Sequence, residues 1–173
     1  MEIVEVDGEA SRPLIAGLSA AVYPPHVLST IVWRDVISAR SERRILLRDA
    51  GCVVSTAGIL WREALHNGEP VVIAGLAGVM TDPKRQRSGL GRLAVEHAMA
   101  SMGGNERAAF GLLFCEPTNV EFYLRLGWLP FNGDVTVTQP AGRIAYKIME
   151  SMVTPLCEQA PNGGVLDLCG LPW

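Results

Sequence analysis

The sequence predicts an α+β domain built on a mixed, mostly antiparallel sheet. Two turn signals, Asp49-Ala50-Gly51 and His66-Asn67-Gly68, separate apolar and β-branched stretches and are typical of hairpins. A long apolar stretch at 69–80 then leads through a glycine-containing loop into an amphipathic helix. Because hairpins join antiparallel strands, this pattern argues against a doubly wound parallel sheet.

The first half of the chain shows strand and helix signals in alternation. Residues 2–6 alternate polar and apolar side chains, which predicts a short, half-buried strand. A helix should start at Ser11, with serine as N-cap and Pro13 close behind it. After Pro24-Pro25, apolar spacing predicts a second helix over residues 26–38. Strands at 44–48, 52–61 and 69–80 then flank the two hairpin turns.

The second half contains the most apolar strand. Leu90, Leu93, Ala94 and Ala98 fall at helical spacing, and residues 108–115 are entirely apolar, so that strand should be central. A short helix should follow Pro117 and end at Gly127, where glycine favours the left-handed C-terminal position. Further strands are predicted at 135–138, 145–149 and 165–168.

Length and composition favour one domain over residues 1–173. The net charge of −3 does not favour nucleic acid as a partner, and the hydrophobic fraction of 49% leaves room for an apolar homodimer contact. No apolar run reaches the roughly 18 residues of a spanning helix, and the acidic N-terminus is unlike a signal peptide, so a cytoplasmic protein is expected. The four cysteines are expected to be reduced core thiols, and the scattered histidines predict no metal site.

The loop between the apolar strand and its helix looks like an anion site. Gly89 and Gly91 allow close approach to backbone N–H groups at the positive end of the helix dipole. Lys84, Arg85, Arg87 and Arg92 place four basic residues nearby. A solvated loop is the simpler alternative. Gly89 to Ala94 also fits the dinucleotide pattern GxGxxA, with Glu116 at the end of the next strand, but Pro83 and the basic run separate these glycines from the preceding strand.

Two segments carry a resemblance to a known family. Residues 83–91, PKRQRSGLG, resemble the pyrophosphate-binding motif of the GNAT superfamily of N-acetyltransferases, and residues 122–128, FYLRLGW, are similar to its FYxxLGF segment. The resemblance implies a GNAT-like fold with six to seven strands flanked by about four helices. It also implies an enzyme that moves an acetyl group directly from acetyl-CoA to a primary amine of a small molecule.

The resemblance also assigns roles to individual residues. Tyr123, in the FYxxLGF segment, would protonate the leaving thiolate, although a core tyrosine is the alternative. Glu116 is a candidate general base, with capping of the following helix as the alternative. The backbone of three strand residues would bind the thioester oxygen, and the loop and helix start would hold the pyrophosphate. These cofactor-binding residues are Val79, Met80, Thr81, Gln86, Arg87, Ser88, Gly89, Leu90, Gly91 and Arg92.

The acceptor side is assigned in the same way. By resemblance, Tyr23, His26 and Trp33 would contact the amine, although aromatic residues that close the core, with a surface histidine, are the alternative. A finer resemblance, in residues 127–133 and 167–173, is to aminoglycoside 2'-N-acetyltransferases. In the family the final strands flank the acceptor pocket, which places Asp167 and Trp173 at the acceptor, although closure of the core by Trp173 is the alternative. Leu171 and Ala77 stand where acidic residues would be expected in those enzymes. Two other functions stay open, a dinucleotide-binding oxidoreductase and a non-catalytic CoA-binding module.

Overall fold

The computed structural model describes residues 1–104 and 108–173. Its strands form one mixed sheet in the order β6-β9-β5-β4-β3-β10-β7-β8, with β2 beside the first part of β3 and β1 beside β2. The strands are β1 (Glu2–Asp7), β2 (Arg43–Asp49), β3 (Cys52–His66), β4 (Glu69–Thr81), β5 (Phe110–Cys115), β6 (Leu129–Pro130), β7 (Asp134–Gln139), β8 (Gly142–Ala145), β9 (Glu150–Pro155) and β10 (Val165–Asp167).

Most neighbouring strands in this sheet are antiparallel, as predicted. Among the strand pairs described, β4 with β5 and β10 with β7 are parallel. The ten strands of the described residues exceed the expected six to seven because short strands of two to four residues, β6, β8 and β10, join the sheet. Both predicted hairpins are present, and Asn67 and Gly68 have positive φ angles in the β3–β4 turn.

The helices are α1 (Gly8–Val22), α2 (Pro25–Leu28), α3 (Leu90–Gly103) and α4 (Val120–Leu124). The prediction that Ser11 caps α1 is wrong. Asp7 is the N-cap, accepting a hydrogen bond from the backbone N–H of Ala10 at 3.0 Å. The Ser11 hydroxyl donates to the carbonyl oxygen of Gly8, so the helix begins before it.

The predicted helix over residues 26–38 is also wrong, since α2 ends at Leu28. The hydroxyls of Ser29 and Thr30 donate to the carbonyl oxygens of His26 and Val27, at 2.9 Å in each case. These local bonds compete with helix continuation, and the following residues are rich in β-branched side chains that favour helices less. The segment from Ile31 to Ser41 is therefore irregular.

The late strands differ from the prediction as well. A strand was expected at 145–149, but β8 ends at Ala145 and β9 begins at Glu150. β8 pairs with β7 from Gly142 opposite Gln139 to Ala145 opposite Thr136, and residues 146–149 lie between β8 and β9.

Two hydrophobic clusters lie on opposite faces of the sheet. Along β5, Leu113 and Cys115 belong to the cluster that packs α3, whereas Leu112 and Phe114 belong to the other cluster. This alternation follows the two-residue period of a strand. We call these the α3 face and the opposite face. Cys115 is a buried thiol as expected, but Cys52, Cys157 and Cys169 are exposed, so the expectation of four core thiols is wrong.

Within the described ranges, no helix is long and apolar enough to cross a membrane.

Candidate active site

The site lies where β4 and β5 separate. Their parallel pairing runs from Ile73–Phe110 to Leu76–Leu113 and then stops, although β4 continues to Thr81 and β5 to Cys115. A cavity of about 550 Å³ opens at this point. Side chains from both faces of the sheet line it, including Cys115 and Tyr123 from the α3 face and Phe114 and Trp173 from the opposite face. The cavity therefore spans the sheet.

Tyr123 forms part of the cavity wall on the α3 face. Its side chain is 8% exposed, and its ring contacts Phe122 with the centroids 4.9 Å apart and Trp128 with the centroids 6.5 Å apart. Within the part of the chain that the structure describes, no group forms a hydrogen bond with its hydroxyl. Burial raises the pKa of the Tyr123 phenol well above its ordinary value, with smaller contributions from Cys115 and Tyr23. The phenol is therefore protonated at neutral pH.

Glu116 lines the cavity directly after β5. It occupies the N-cap position of a single 3₁₀ turn (Pro117–Asn119), but its side chain makes no capping hydrogen bond. The capping alternative is thus not realised. Its charge contributes to raising the pKa of Tyr23, for which burial is the larger cause. A carboxylate and two phenols, Tyr23 and Tyr123, therefore line the same cavity.

Tyr23 and Trp33, which are predicted to contact the amine, lie together at the cavity. Their rings meet edge to face, with the centroids 5.5 Å apart, and both line the cavity. His26 does not reach the cavity. It lies exposed on α2, whereas Val27 of the same helix and Ile31 of the following irregular segment line the cavity, so that part of the prediction is corrected.

Trp173 and Asp167 have separate environments. Trp173 is 8% exposed, contacts Phe114 with ring centroids 5.5 Å apart, and lines the cavity. Asp167 is buried elsewhere, where it forms an ion pair with Arg143 and accepts a hydrogen bond from the backbone N–H of Cys169 at 2.9 Å. Because its carboxylate has these partners and does not line the cavity, the placement of Asp167 at the acceptor is corrected.

The end of β4 contains a bulge in its pairing with β3, and this bulge lies at the cavity. Gly58 pairs with Ala77 and Thr56 pairs with Met80, so Gly78 and Val79 have no partner in the β3 register. Gly78 has φ +51°, a left-handed angle that glycine adopts without strain. Val79 lines the cavity, whereas Met80 and Thr81 resume the pairing with β3 beyond it.

The loop before α3 has the geometry of an anion site. Gly89 is the N-cap of α3 with φ +84° and no capping side chain, and a Cβ built on it would meet no atom within 4 Å. The first turn of α3 contains no acidic residue. Gly91 is different, since a Cβ there would lie 3.1 Å from the Thr81 hydroxyl. Gly89 thus leaves open space, and Gly91 permits close packing of α3 on β4.

The basic residues around this loop are not all available to a ligand. Arg85 forms an ion pair with Asp49 at 2.6 Å, and Arg92 forms one with Glu96 at 2.7 Å. Gln86, Arg87 and Ser88 are exposed in the loop, whereas the Leu90 side chain is buried in the core. Any contact of Leu90 with a ligand would therefore be through its backbone.

Sequence reasoning missed several cavity residues. Glu9 and Arg12 of α1, Arg40 and Arg44 all line the cavity. Arg44 is the residue that a strand pattern could have indicated, because it precedes Ile45-Leu46-Leu47 in a strand buried on both faces.

Comparison with known families agrees with the geometry of the site. A profile of the acetyltransferase (GNAT) domain matches residues 15–131, more than half of the chain. The chain belongs to the GNAT acetyltransferase family. As a member of this family, it is an N-acetyltransferase with acetyl-CoA as the acetyl donor. A comparison with curated proteins finds no match.

Solved structures show the same fold at low sequence identity. The chain is similar to the GNAT family N-acetyltransferase YhbS from Escherichia coli in complex with CoA, at 17% identity and a TM-score of 0.62, covering 96% of this chain and 88% of that one. It is similar to Escherichia coli ElaA, at 13% identity and a TM-score of 0.61, with 88% and 98% covered. A GNAT family acetyltransferase from Brucella melitensis in complex with acetyl-CoA is 14% identical, with a TM-score of 0.59 and 95% and 94% covered.

Proposed function

We propose that this acetyltransferase moves the acetyl group directly to a primary amine of a small molecule bound in the cavity. The observation that carries the proposal is the cavity of about 550 Å³ that spans the sheet between β4 and β5, with Tyr123 and Glu116 on its wall. A volume of this size is within the range of small-molecule sites.

The residues of the α3 face would bind the acetyl donor, together with the bulge in β4 formed by Gly78 and Val79. Acetyl-CoA supplies the activated acyl group as a thioester. The backbone N–H of Val79, at the bulge, is the candidate donor to the thioester oxygen. The open, positively polarised start of α3 at Gly89 is the candidate site for the pyrophosphate, with Gln86, Arg87 and Ser88 beside it.

Two side chains would move the protons. An alkylamine with a pKa of about 10 is neutral in about one molecule per thousand at pH 7, so the amine needs a base. Glu116 is the candidate base, because its side chain makes no cap and faces the cavity. Tyr123, protonated at neutral pH, is the candidate acid for the sulfur of the leaving thiolate.

Direct transfer from acetyl-CoA to the amine is favoured over a two-step route through an acetylated cysteine. Cys115 lines the same cavity, but burial raises the pKa of its thiol to about 11, with Glu150 and Glu116 adding to the shift. Since the thiolate is the nucleophilic form, little of Cys115 is reactive at neutral pH.

The charged side chains on the cavity wall indicate which net charge of the acceptor would fit. Arg12, Arg40 and Arg44 line it together with Glu9 and Glu116, and Glu9 pairs with both Arg12 and Arg40. A cavity wall with more arginines than carboxylates matches a polycation poorly. An aminoglycoside, the finer expectation from the sequence, therefore fits this wall less well than an amine of lower positive charge.

The test is acetyl-CoA turnover over a panel of small amines, with thiol release and product mass as readouts. We expect at least one amine to gain a single acetyl group at a rate above background hydrolysis. CoA should raise the melting temperature, whereas NAD should not. Stabilisation by NAD alone would instead favour the dinucleotide alternative. CoA binding without acetylation of any amine would favour the non-catalytic module.

A further inference from the structure

Arg44 is a buried cation at the cavity wall. The residue is 9% exposed, and burial lowers the pKa of its guanidinium from the ordinary value. Nearby arginines are paired, for example Arg43 with Glu5 and Arg40 with Glu9. Arg44 has no carboxylate within ion-pair distance in the described ranges. A buried charge without a counter-charge is costly, so a ligand that supplies the counter-charge would be bound favourably.

The hydrogen bonds of Arg44 go to neutral oxygens and leave donors free. Nη1 donates to the carbonyl oxygen of Gly78 at 3.2 Å and to the hydroxyl of Thr56 at 3.5 Å, and Nη2 donates to the Ser41 hydroxyl at 3.1 Å. The buried Nε has no partner among the described residues. Because a guanidinium offers five N–H donors and the three bonds above use three of them, the second N–H of Nη2 remains for a carboxylate, whereas the buried Nε is not accessible to a ligand.

The neighbouring strands make room for this guanidinium. A Cβ on Gly58 of β3 would lie 3.0 Å from Nη2, and a Cβ on Gly78 of β4 would lie 3.4 Å from Nη1 and Nη2. The guanidinium is thus held between two glycines, one of them at the bulge that places Val79 in the cavity. This arrangement fixes the charge close to the point where β4 and β5 separate.

Arg44 lies on the side of the sheet away from α3. It pairs in register with Gly58, whose neighbours Ala57 and Ile59 pack on the α3 face. By strand alternation, the side chain of Arg44 is directed to the opposite face, where Trp173 packs. The anion that it meets is therefore not the pyrophosphate at the start of α3, and it comes from the acceptor side.

We propose that Arg44 binds a carboxylate of the acceptor, so that the substrate class is amines that carry a carboxylate, of the amino acid type. This inference rests on the proposed function. Glu9 pairs with Arg12 and Arg40, whereas Glu116 and Arg44 form no ion pair among the described residues. A base for the amine and a cation for the carboxylate together match a zwitterion.

The first experiment uses the wild-type protein and matched acceptors. The standard L-amino acids and short ω-amino acids are assayed with acetyl-CoA, each beside its carboxamide, which keeps the amine and removes the negative charge. We expect at least one free acid to exceed its carboxamide in kcat/KM by about 10- to 100-fold, the scale of a charged hydrogen-bonded contact. A carboxamide as good as its acid in every pair would overturn the inference.

The second experiment compares variants on the preferred acid. Arg44→Gln should raise the KM of the acid by about 10- to 100-fold and leave the KM of the carboxamide unchanged. Arg44→Lys, which keeps the charge but loses the planar fork, should recover part of the loss. The matched control is Arg43→Gln, the adjacent arginine, which is exposed, pairs with Glu5 and does not line the cavity.

The outcomes separate this inference from the proposed function. If Arg44→Gln weakens acid and carboxamide equally, Arg44 only holds the Gly78 carbonyl, and the inference is wrong. If amines without a carboxylate are acetylated and acids are not, the proposed function stands and the inference fails. If no amine is acetylated, the proposed function itself fails. Should Arg44→Gln not fold, the acid-to-carboxamide comparison in the wild type decides alone.

Discussion

Replacing Tyr123 by phenylalanine removes one hydroxyl group from the cavity wall and keeps the buried ring. The ring packs on Phe122 and Trp128, contacts that phenylalanine retains. No protein group in the described residues is recorded as a hydrogen-bond partner of this hydroxyl, so its loss leaves no buried donor or acceptor unpaired. We therefore expect the free energy of unfolding to change by less than about 1 kcal/mol.

The expected effect on turnover is much larger. Proton transfer by a positioned side chain contributes about 10²- to 10⁴-fold, equivalent to about 3–5 kcal/mol of activation free energy. Tyr123→Phe should therefore lower kcat by that factor and leave the KM for acetyl-CoA nearly unchanged, because the phenol acts on the departing sulfur and not on the bound ground state.

The assay is steady-state thiol release with saturating acetyl-CoA and acceptor. The matched control is Tyr146→Phe, which removes a buried hydroxyl from a ring that packs on Phe114 but does not line the cavity. This control should keep wild-type kcat. An unchanged kcat in Tyr123→Phe, or a loss confined to the KM for acetyl-CoA, would refute the general-acid role and leave Tyr123 as a packing residue.

Three further predictions follow from named contacts. Gly89→Asp should weaken CoA binding in calorimetry more than Gly89→Asn, because both side chains tolerate a left-handed angle but only the aspartate repels the pyrophosphate; equal losses would point to backbone strain. Gly75→Ala should destabilise the protein by about 1–3 kcal/mol in urea unfolding and raise the acceptor KM, because its Cβ would lie 2.4 Å from the Trp173 ring. Gly17→Ala, with no neighbour within 4 Å, should be neutral or stabilising, and equal destabilisation in both would contradict the packing argument. Folding raises the pKa of the Cys115 thiol from 9.0 to about 11, so its contribution to the free energy of unfolding is complete below pH 9 and is lost as the pH rises through 11. Cys115→Ala should therefore flatten the fall in the free energy of unfolding between pH 9 and 11. An unchanged slope in this pH range would contradict the raised pKa.

The sequence predicted those parts of the fold that depend on local signals. The two hairpins follow from Asp49-Ala50-Gly51 and His66-Asn67-Gly68, and the turn at Gly127 follows from the need for a positive φ, observed at +85°. The strand–loop–helix unit from β4 to α3 was likewise predicted, because a buried strand, two glycines and an amphipathic helix each leave a clear pattern. The apolar spacing predicted a helix over residues 26–38, but α2 ends at Leu28. The hydroxyls of Ser29 and Thr30 donate to backbone carbonyl oxygens there and compete with helix continuation.

The site could be predicted only where a motif marked it. Tyr123 was predicted from the FYxxLGF segment and Glu116 from its position after an apolar strand. Both line the same cavity, and their catalytic roles stay predictions. Arg44 lies in a strand with no motif, and its position depends on glycines in two other strands, Gly58 and Gly78. The apolar pattern of β2 could indicate that Arg44 is buried, but its position at the cavity depends on this three-strand arrangement, which no local pattern shows.

The measurement that tests the central claim most directly is two-substrate initial-rate kinetics, with mass spectrometry of the protein after incubation with acetyl-CoA alone. Direct transfer requires acetyl-CoA and the amine to be bound together in the cavity. The expected result is a set of intersecting double-reciprocal lines and an unmodified protein. Parallel lines, together with an acetyl group found on Cys115, would contradict direct transfer and make that cysteine the nucleophile.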